Sequence, residues 1–241
     1  MESLGLAAQM TESDIYHLDD TQFVGDVAMN CTEHMLATEA HLNPSPDCVG
    51  VRGERKNLSS RMRSILVSWL TEVHQKFKLA PETLFITVNL IDRYCEKQIL
   101  EMKEYQLLGV TAMRVASKYE EIWVPKLEDF ADITDNTYSR EQILTQEFHL
   151  LKELEFDISF PTSYRFLERF HIICNKTSTG SRQVYLLGCY LLELAMVEVT
   201  MNKWLPSRLA ISALYLSKHM LNEAWPEEIA TILGLKEQEV R

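Results

Sequence analysis

Apolar residues recur at helical spacing along most of this chain. The clearest stripe places apolar side chains at positions i, i+3, i+4 and i+7 of one segment: Met62, Ile65, Leu66 and Trp69. This spacing defines one face of an α-helix, and a helix with such a face normally buries it. Because long segments share the same periodicity, the pattern predicts an all-α fold.

The periodicity divides the first part of the chain into helices separated by turn signals. An N-terminal helix is predicted over residues 23–42, and it ends at N-P-S-P (43–46) because proline cannot continue a helix. Five further helices are predicted at about 58–76, 81–97, 102–121, 125–133 and 138–154. Ser59 or Ser60 would cap the first of these five helices, and the Asp135-Asn136 pair would form the turn before the last one.

The second half of the chain repeats the pattern of the first half at an offset of 101 residues. Three separated matches share this offset: residues 108–113 with 209–214, residues 91–92 with 192–193, and Pro125 with Pro226. Such self-similarity predicts a tandem duplication, although any two buried helices also resemble each other. Small residues such as Gly109 and Ala210 let other helices approach closely, which predicts that the third helix of each repeat is central.

These elements predict an N-terminal helix followed by two tandem five-helix repeats. The expected divisions are a flexible tail (1–21), the N-terminal helix with its linker (22–57), the first repeat (58–159) and the second repeat (160–241). In the repeat register Arg241 corresponds to Arg140, so the second repeat is expected to lack most of its last helix.

Composition and charge exclude several classes of protein. The net charge of −11 argues against sequence-independent binding of nucleic acid, which requires a basic surface for the phosphates. Five scattered cysteines without a C-x-x-C pattern indicate reduced thiols, hence the cytosol or nucleus. The N-terminus lacks the layout of a signal peptide, and the most apolar stretch (184–199) contains Glu193 and Glu198, so no membrane helix is predicted.

No arrangement of residues predicts catalysis or metal binding. The chain lacks G-x-S-x-G, a glycine-rich phosphate loop and H-E-x-x-H, and its seven histidines are dispersed. The neighbouring Glu120 and Glu121 would point apart on a helix, which argues against acid–base cooperation. We therefore expect no catalytic residue, no metal site and no cofactor.

Five segments, in this order, resemble the A/B-type mitotic cyclins: MRSILVSWLTEVH (62–74), ETLFITVNLIDRY (82–94), TAMRVASKYEEI (111–122), DFADITDNTY (129–138) and LEFDISFPT (154–162). The third and fourth segments are most similar to the B type. The resemblance covers roughly residues 22–241 and implies that the two repeats are cyclin boxes.

The resemblance implies a regulatory subunit rather than an enzyme. Its first cyclin box would bind the C helix of a cyclin-dependent kinase and favour the active arrangement of that kinase. The positions that match kinase-binding residues of the family are Lys118, Tyr119, Glu147, Leu151 and Ile158. Without the resemblance, Lys118 and Glu147 also fit ordinary solvated charges, and the three other residues fit core packing.

The resemblance also implies a shallow groove that binds R-x-L motifs of substrates and inhibitors. The positions that match this groove are Met62, Ile65, Leu66, Trp69 and Gln106, with Glu72 as the acid that receives the arginine of the motif. The alternative is a stripe buried in the bundle core, which suits Leu70 and Val73 better. Three positions depart from the family pattern: Ser68 replaces an aspartate, Lys76 replaces an acid of some A-type relatives, and Tyr105 replaces an aliphatic residue at the groove rim.

A cyclin-fold transcription factor that holds DNA or polymerase is the alternative function. The acidity of the chain and the Lys118/Glu147 pair argue against it. We expect a cyclin-dependent kinase and R-x-L substrates and inhibitors as partners, with no direct contact with nucleic acid or membrane. The expected role is control of progress into or through mitosis, and the expected location is the nucleus and cytoplasm.

Overall fold

The structure is a computed structural model and describes residues 28–49, 58–174 and 181–225. In these residues it contains nine α-helices, one short 3-10 helix and no β-strand. The helices are α1 (Ala28–Thr38), α2 (Ser60–Phe77), α3 (Pro81–Lys97), α4 (Met102–Glu120), α5 (Leu127–Asp132), α6 (Arg140–Glu153), α7 (Ser163–Cys174), α8 (Ser181–Val197) and α9 (Pro206–Met220), and the 3-10 helix is Val199–Lys203. The prediction of an all-α fold is confirmed for this part of the chain.

The bounds of α2 to α6 agree with the five predicted helices to within two residues at each end. The N-terminal helix differs, because α1 ends at Thr38 instead of reaching residue 42. The Thr38 hydroxyl donates to the His34 carbonyl (2.7 Å), and the next side chain, Glu39, turns away to bind the backbone of Ser207. The predicted start of this helix and the tail 1–21 lie outside the described residues.

Local capping explains where several helices begin and end. The Ser59 hydroxyl accepts a hydrogen bond from the Met62 amide (3.2 Å), which confirms this serine as the cap of α2. Pro81 occupies the first turn of α3, where its missing N–H costs nothing. Asp135 and Asn136 adopt left-handed backbone angles (φ 52° and 56°), and this confirms the predicted turn before α6.

The described residues pack as two units. The larger unit comprises residues 42–49, 58–160 and 194–203, and the smaller unit comprises residues 28–41, 161–174, 181–193 and 204–225. The division of the sequence into a tail, a linker and two repeats remains a prediction.

Helix α4 lies at the centre of the larger unit, where it packs against α2, α3, α5 and α6. Gly109 makes this arrangement possible, because a Cβ atom at this position would lie 2.9 Å from Cδ1 of Leu66 on α2. Ala112 and Ala116 are also fully buried on α4. Small side chains therefore bring the neighbouring helices close, as the sequence predicted for the third helix of the repeat.

A buried ion pair ties the elements of the larger unit together. Arg63 donates from Nε and Nη2 to the two carboxylate oxygens of Asp92, each at 2.7 Å. The remaining Nη1 donates to the carbonyls of Met196 (2.9 Å) and Val197 (3.1 Å) at the end of α8. Asn202 donates to Asp92 at 2.9 Å. Since both charges are fully hydrogen-bonded, the pair is satisfied inside the core.

In the smaller unit, α7 packs against α9, and the side chain of Leu167 fills the space above Gly188 (3.1 Å to a Cβ at that glycine). The buried Glu39 carboxylate accepts hydrogen bonds from the Ser207 amide (2.8 Å) and hydroxyl (2.7 Å) at the start of α9. Burial raises the pKa of Glu39 above its ordinary range. Burial thus disfavours the charged carboxylate, and the hydrogen bonds from Ser207 offset only part of this cost.

The helices α7, α8 and α9 follow the repeat register. Adding 101 to the bounds of α2, α3 and α4 gives 161–178, 182–198 and 203–221, and each of the three helices lies within or beside its expected range. The predicted loss of most of the last helix concerns residues 226–241, which lie outside the described residues.

Candidate functional site

Two cations of α4 bind one carboxylate of α6. Nζ of Lys118 donates to Oε1 of Glu147, and Nη1 of Arg114 donates to Oε2. Arg114 and Lys118 are four residues apart, so they lie on the same face of their helix. Lys118 and Glu147, which match kinase-binding positions of the family, thus lie together on neighbouring helices, and Glu147 is buried between the two cations.

The three side chains of this triad differ in exposure. Lys118 is 42% exposed, whereas Arg114 is 15% and Glu147 is 10% exposed. Burial lowers the pKa of Arg114. Burial, and then the positive charge of Arg114, lower the pKa of Lys118. The sequence analysis did not include Arg114, although its i, i+4 spacing from Lys118 was a signal that could have identified it.

Apolar residues lie close to the triad along α4, along α6 and in the segment after α6. Tyr119 is exposed and its hydroxyl donates to the Ser159 hydroxyl (3.1 Å), while Leu151 and Ile158 are half-buried against the core. Two exposed residues of α6, Leu144 and Phe148, were not predicted. Together with Leu151 they follow the i, i+4, i+7 spacing of a single helix face, which was the available signal.

We call this surface the α4–α6 face and define it by Lys118, Tyr119, Leu144, Glu147, Phe148, Leu151 and Ile158. Phe148 is 60% exposed, so the face presents a large aromatic ring beside a cationic group. Such a combination suits binding to another protein, because aromatic residues and desolvated polar contacts supply much of the affinity of interfaces.

Glu121 anchors the end of α4 from which Lys118 and Tyr119 project. Its carboxylate accepts hydrogen bonds from the Ala80 amide (2.7 Å) and the Thr83 hydroxyl at the start of α3. Ala80 has no side-chain oxygen with which to cap that helix, so Glu121 supplies the acceptor from another element. Glu121 therefore has a structural role, because it joins the end of α4 to the start of α3.

An apolar groove of about 230 Å³ lies between α2 and α4. Its lining consists of Met62, Ile65, Leu66, Trp69, Met102, Tyr105 and Gln106. The structure thus brings together five of the six predicted groove residues. Among these residues Leu66 is only 6% exposed, because its side chain packs into the space that Gly109 leaves open.

Glu72 and Tyr105 differ from the expected arrangement of the groove. Glu72 is exposed on α2 but is not part of the groove lining. Tyr105 was expected at the rim, yet it is buried, and its hydroxyl has no hydrogen-bond partner among the described residues. Burial raises the pKa of Tyr105. Ser68 and Lys76 are exposed on α2.

In the described part of the chain, no three His, Cys, Asp or Glu side chains converge on a position that would hold a metal ion. None of the described helices combines the length and the apolar character that crossing a bilayer requires. All five cysteines are free thiols.

Two family models match the chain. The model described as cyclin, N-terminal domain matches residues 30–159, and the model described as cyclin, C-terminal domain matches residues 161–241. Among solved structures, a viral cyclin from herpesvirus saimiri has the same fold, with a TM-score of 0.68 and 18% sequence identity; the match covers 77% of this chain and 84% of that chain.

The curated relatives include B-type and A-type cyclins. Cyclin-B2-1 of Oryza sativa subsp. japonica is 46% identical over 170 residues, which is 70% of this chain and 39% of the relative. The G2/mitotic-specific cyclin-B of Hydra vulgaris is 37% identical over 233 residues, which is 96% of this chain and 62% of the relative. The chain therefore spans less than two thirds of the length of either relative. The resemblance found in the sequence is confirmed, and this chain belongs to the cyclin family.

Proposed function

We propose that this chain is a B-type-like mitotic cyclin that binds and activates a cyclin-dependent serine/threonine kinase through the α4–α6 face. Cyclins are regulatory subunits of kinases and not enzymes, which agrees with the expectation drawn from the sequence. The observation that carries the proposal is the contact of Lys118 with Glu147 beside an exposed apolar stripe on α6.

The α4–α6 face has the physical properties that activation by binding requires. Fully burying a side chain such as Phe148 contributes roughly 1.5–3 kcal/mol. Lys118 adds a charged donor at the edge of this apolar area. Binding shifts the kinase toward its active arrangement only to the extent that the face contacts this arrangement better than the inactive one.

The test measures binding and activation of a purified mitotic cyclin-dependent kinase. Phe148→Ala should reduce affinity by an order of magnitude or more, since fully burying such a side chain contributes roughly 1.5–3 kcal/mol. Lys118→Ala should reduce it by a similar factor, since truncating one member of a desolvated charged contact costs roughly 2–5 kcal/mol. Arg140→Ala is the matched control. Arg140 lies on α6, as Phe148 does, and its exposed side chain pairs with Glu128. If Phe148→Ala and Lys118→Ala activate the kinase as well as the wild type and the Arg140→Ala control do, at a limiting concentration of the cyclin chain, the α4–α6 face is not the contact.

We also propose that the groove docks R-x-L motifs of substrates and inhibitors. Its lining is apolar apart from the Gln106 amide and the buried Tyr105 hydroxyl, and it has room for the leucine of a peptide. Glu72 stands one helical turn beyond Trp69, where an extended peptide could place its arginine. The proposed role is control of progress into or through mitosis. The proposed location is the nucleus and cytoplasm, and imaging of the tagged chain through the cell cycle would test this location.

A further inference from the structure

The two oxygens of the Glu147 carboxylate are divided between two cations. Arg114 reaches Oε2 with Nη1 only, and its Nε is buried without a partner among the described residues. A bidentate arginine would occupy both oxygens of a carboxylate. Because Arg114 donates to Oε2 alone, Oε1 of Glu147 is available to Lys118.

The two cations are not equivalent. Arg114 lies deeper than Lys118, with 15% against 42% of its side chain exposed. A buried carboxylate that loses its last cation is strongly destabilised. Because Arg114 stays with Glu147, Lys118 can leave the carboxylate without uncovering a buried charge. The triad also carries a net charge of +1, whereas a simple lysine–glutamate pair would be neutral.

We propose that Arg114 is a positioning residue for kinase binding: it retains Glu147 and thereby releases the Lys118 ammonium to donate to an acceptor on the kinase. The kinase part of this inference rests on the proposed function. The acceptor would be a carboxylate or the carbonyl end of a helix, since both attract a net positive site.

The electrostatics of Lys118 agree with this role. The charge of Arg114 contributes to lowering the pKa of Lys118, as does burial. Removing Arg114 would leave Lys118 as the only cation on Glu147. The ammonium would then be held more tightly, and its pKa would rise.

The first test uses the protein alone. Competitive labelling with limiting acetic anhydride, followed by mass spectrometry, measures the reactivity of Lys118, because only the neutral amine is acetylated. Arg114→Leu should slow acetylation of Lys118 several-fold, and Arg114→Lys should restore it. Arg140→Leu, which removes an exposed arginine from another pair, should leave the rate unchanged. Equal rates in the wild type and in Arg114→Leu would overturn the assignment.

The second test measures affinity for the kinase at several salt concentrations. Arg114→Leu should weaken binding by about tenfold and reduce its salt dependence, because the face loses its net charge. A purely structural role for Arg114 would lower thermal stability but leave the salt dependence as it is, and that result would also overturn the inference.

The two tests separate the inference from the proposed function. If the wild-type chain fails to bind the kinase while Lys118 reactivity responds to Arg114 as expected, the proposed function is wrong and the positioning of Lys118 by Arg114 stands. If the kinase binds normally and Lys118 reactivity does not respond, only the role of Arg114 is wrong.

Discussion

Replacement of Arg63 by methionine should destabilise the larger unit more than any change at an exposed charge. Methionine matches the length of the aliphatic part of arginine and removes the guanidinium. Arg63 makes two hydrogen bonds to Asp92 and two to the carbonyls of Met196 and Val197. The variant leaves Asp92 buried, with the Asn202 amide as its remaining donor in the described residues.

The magnitude follows from this loss of partners. Removing one member of a buried ion pair costs roughly 3–5 kcal/mol. For a chain of this length each kcal/mol lowers the unfolding temperature by about 2–4 °C, so the expected decrease is roughly 6–20 °C. The double variant Arg63→Met/Asp92→Leu should lose less than Arg63→Met alone, because it no longer buries an unpaired carboxylate.

Thermal and urea unfolding, followed by circular dichroism, measure these differences. Arg140→Met is the matched control, since its pair with Glu128 is exposed and contributes little to stability. Two results would refute the reasoning: an Arg63→Met variant as stable as the control, or a double variant less stable than the single one. Either result would mean that Asp92 finds adequate solvation without Arg63.

Three further predictions concern the groove, the central helix and pH. Trp69→Ala should weaken phosphorylation of R-x-L substrates by a kinase complex and spare peptides without the motif; equal loss for both would show that Trp69 only supports the fold. Gly109→Ala should push the Leu66 side chain toward the groove, because the new Cβ would lie 2.9 Å from its Cδ1. The main effect should therefore be a weaker affinity for an R-x-L peptide, measured by calorimetry, and the change in melting temperature should be the smaller effect. Burial raises the pKa of Glu39, so the folded chain binds the proton of the Glu39 carboxyl group more tightly than the unfolded chain. The contribution of this group to stability therefore falls as pH rises from the ordinary glutamate pKa through the pKa of Glu39 in the folded chain. Glu39→Gln should therefore gain stability relative to the wild type as pH rises through this window, and melting curves that stay parallel across it would contradict the shift.

Features that depend on neighbours in the sequence were predictable. The spacing of apolar residues located α2 to α6, because a helix buries one face whatever element covers it. Ser59 and the Asp135-Asn136 pair act within one turn of the backbone, so their cap and turn could also be predicted. The order of five family segments identified the cyclin resemblance.

The partners of individual side chains depended on the tertiary structure. Arg63 and Asp92 are 29 residues apart, and the sequence contains no sign that they meet in the core. The i, i+4 spacing places Arg114 and Lys118 on one face of α4, but only the packing of α4 against α6 shows that both reach the Glu147 carboxylate. The burial of Leu66 followed from the close approach that Gly109 allows. The sequence by itself determined α2 to α6, the Ser59 cap and the family, because these depend on local periodicity and residue order. The tertiary structure decided which charges neutralise each other and which apolar residues remain open, because both depend on distances between elements that are far apart in the chain.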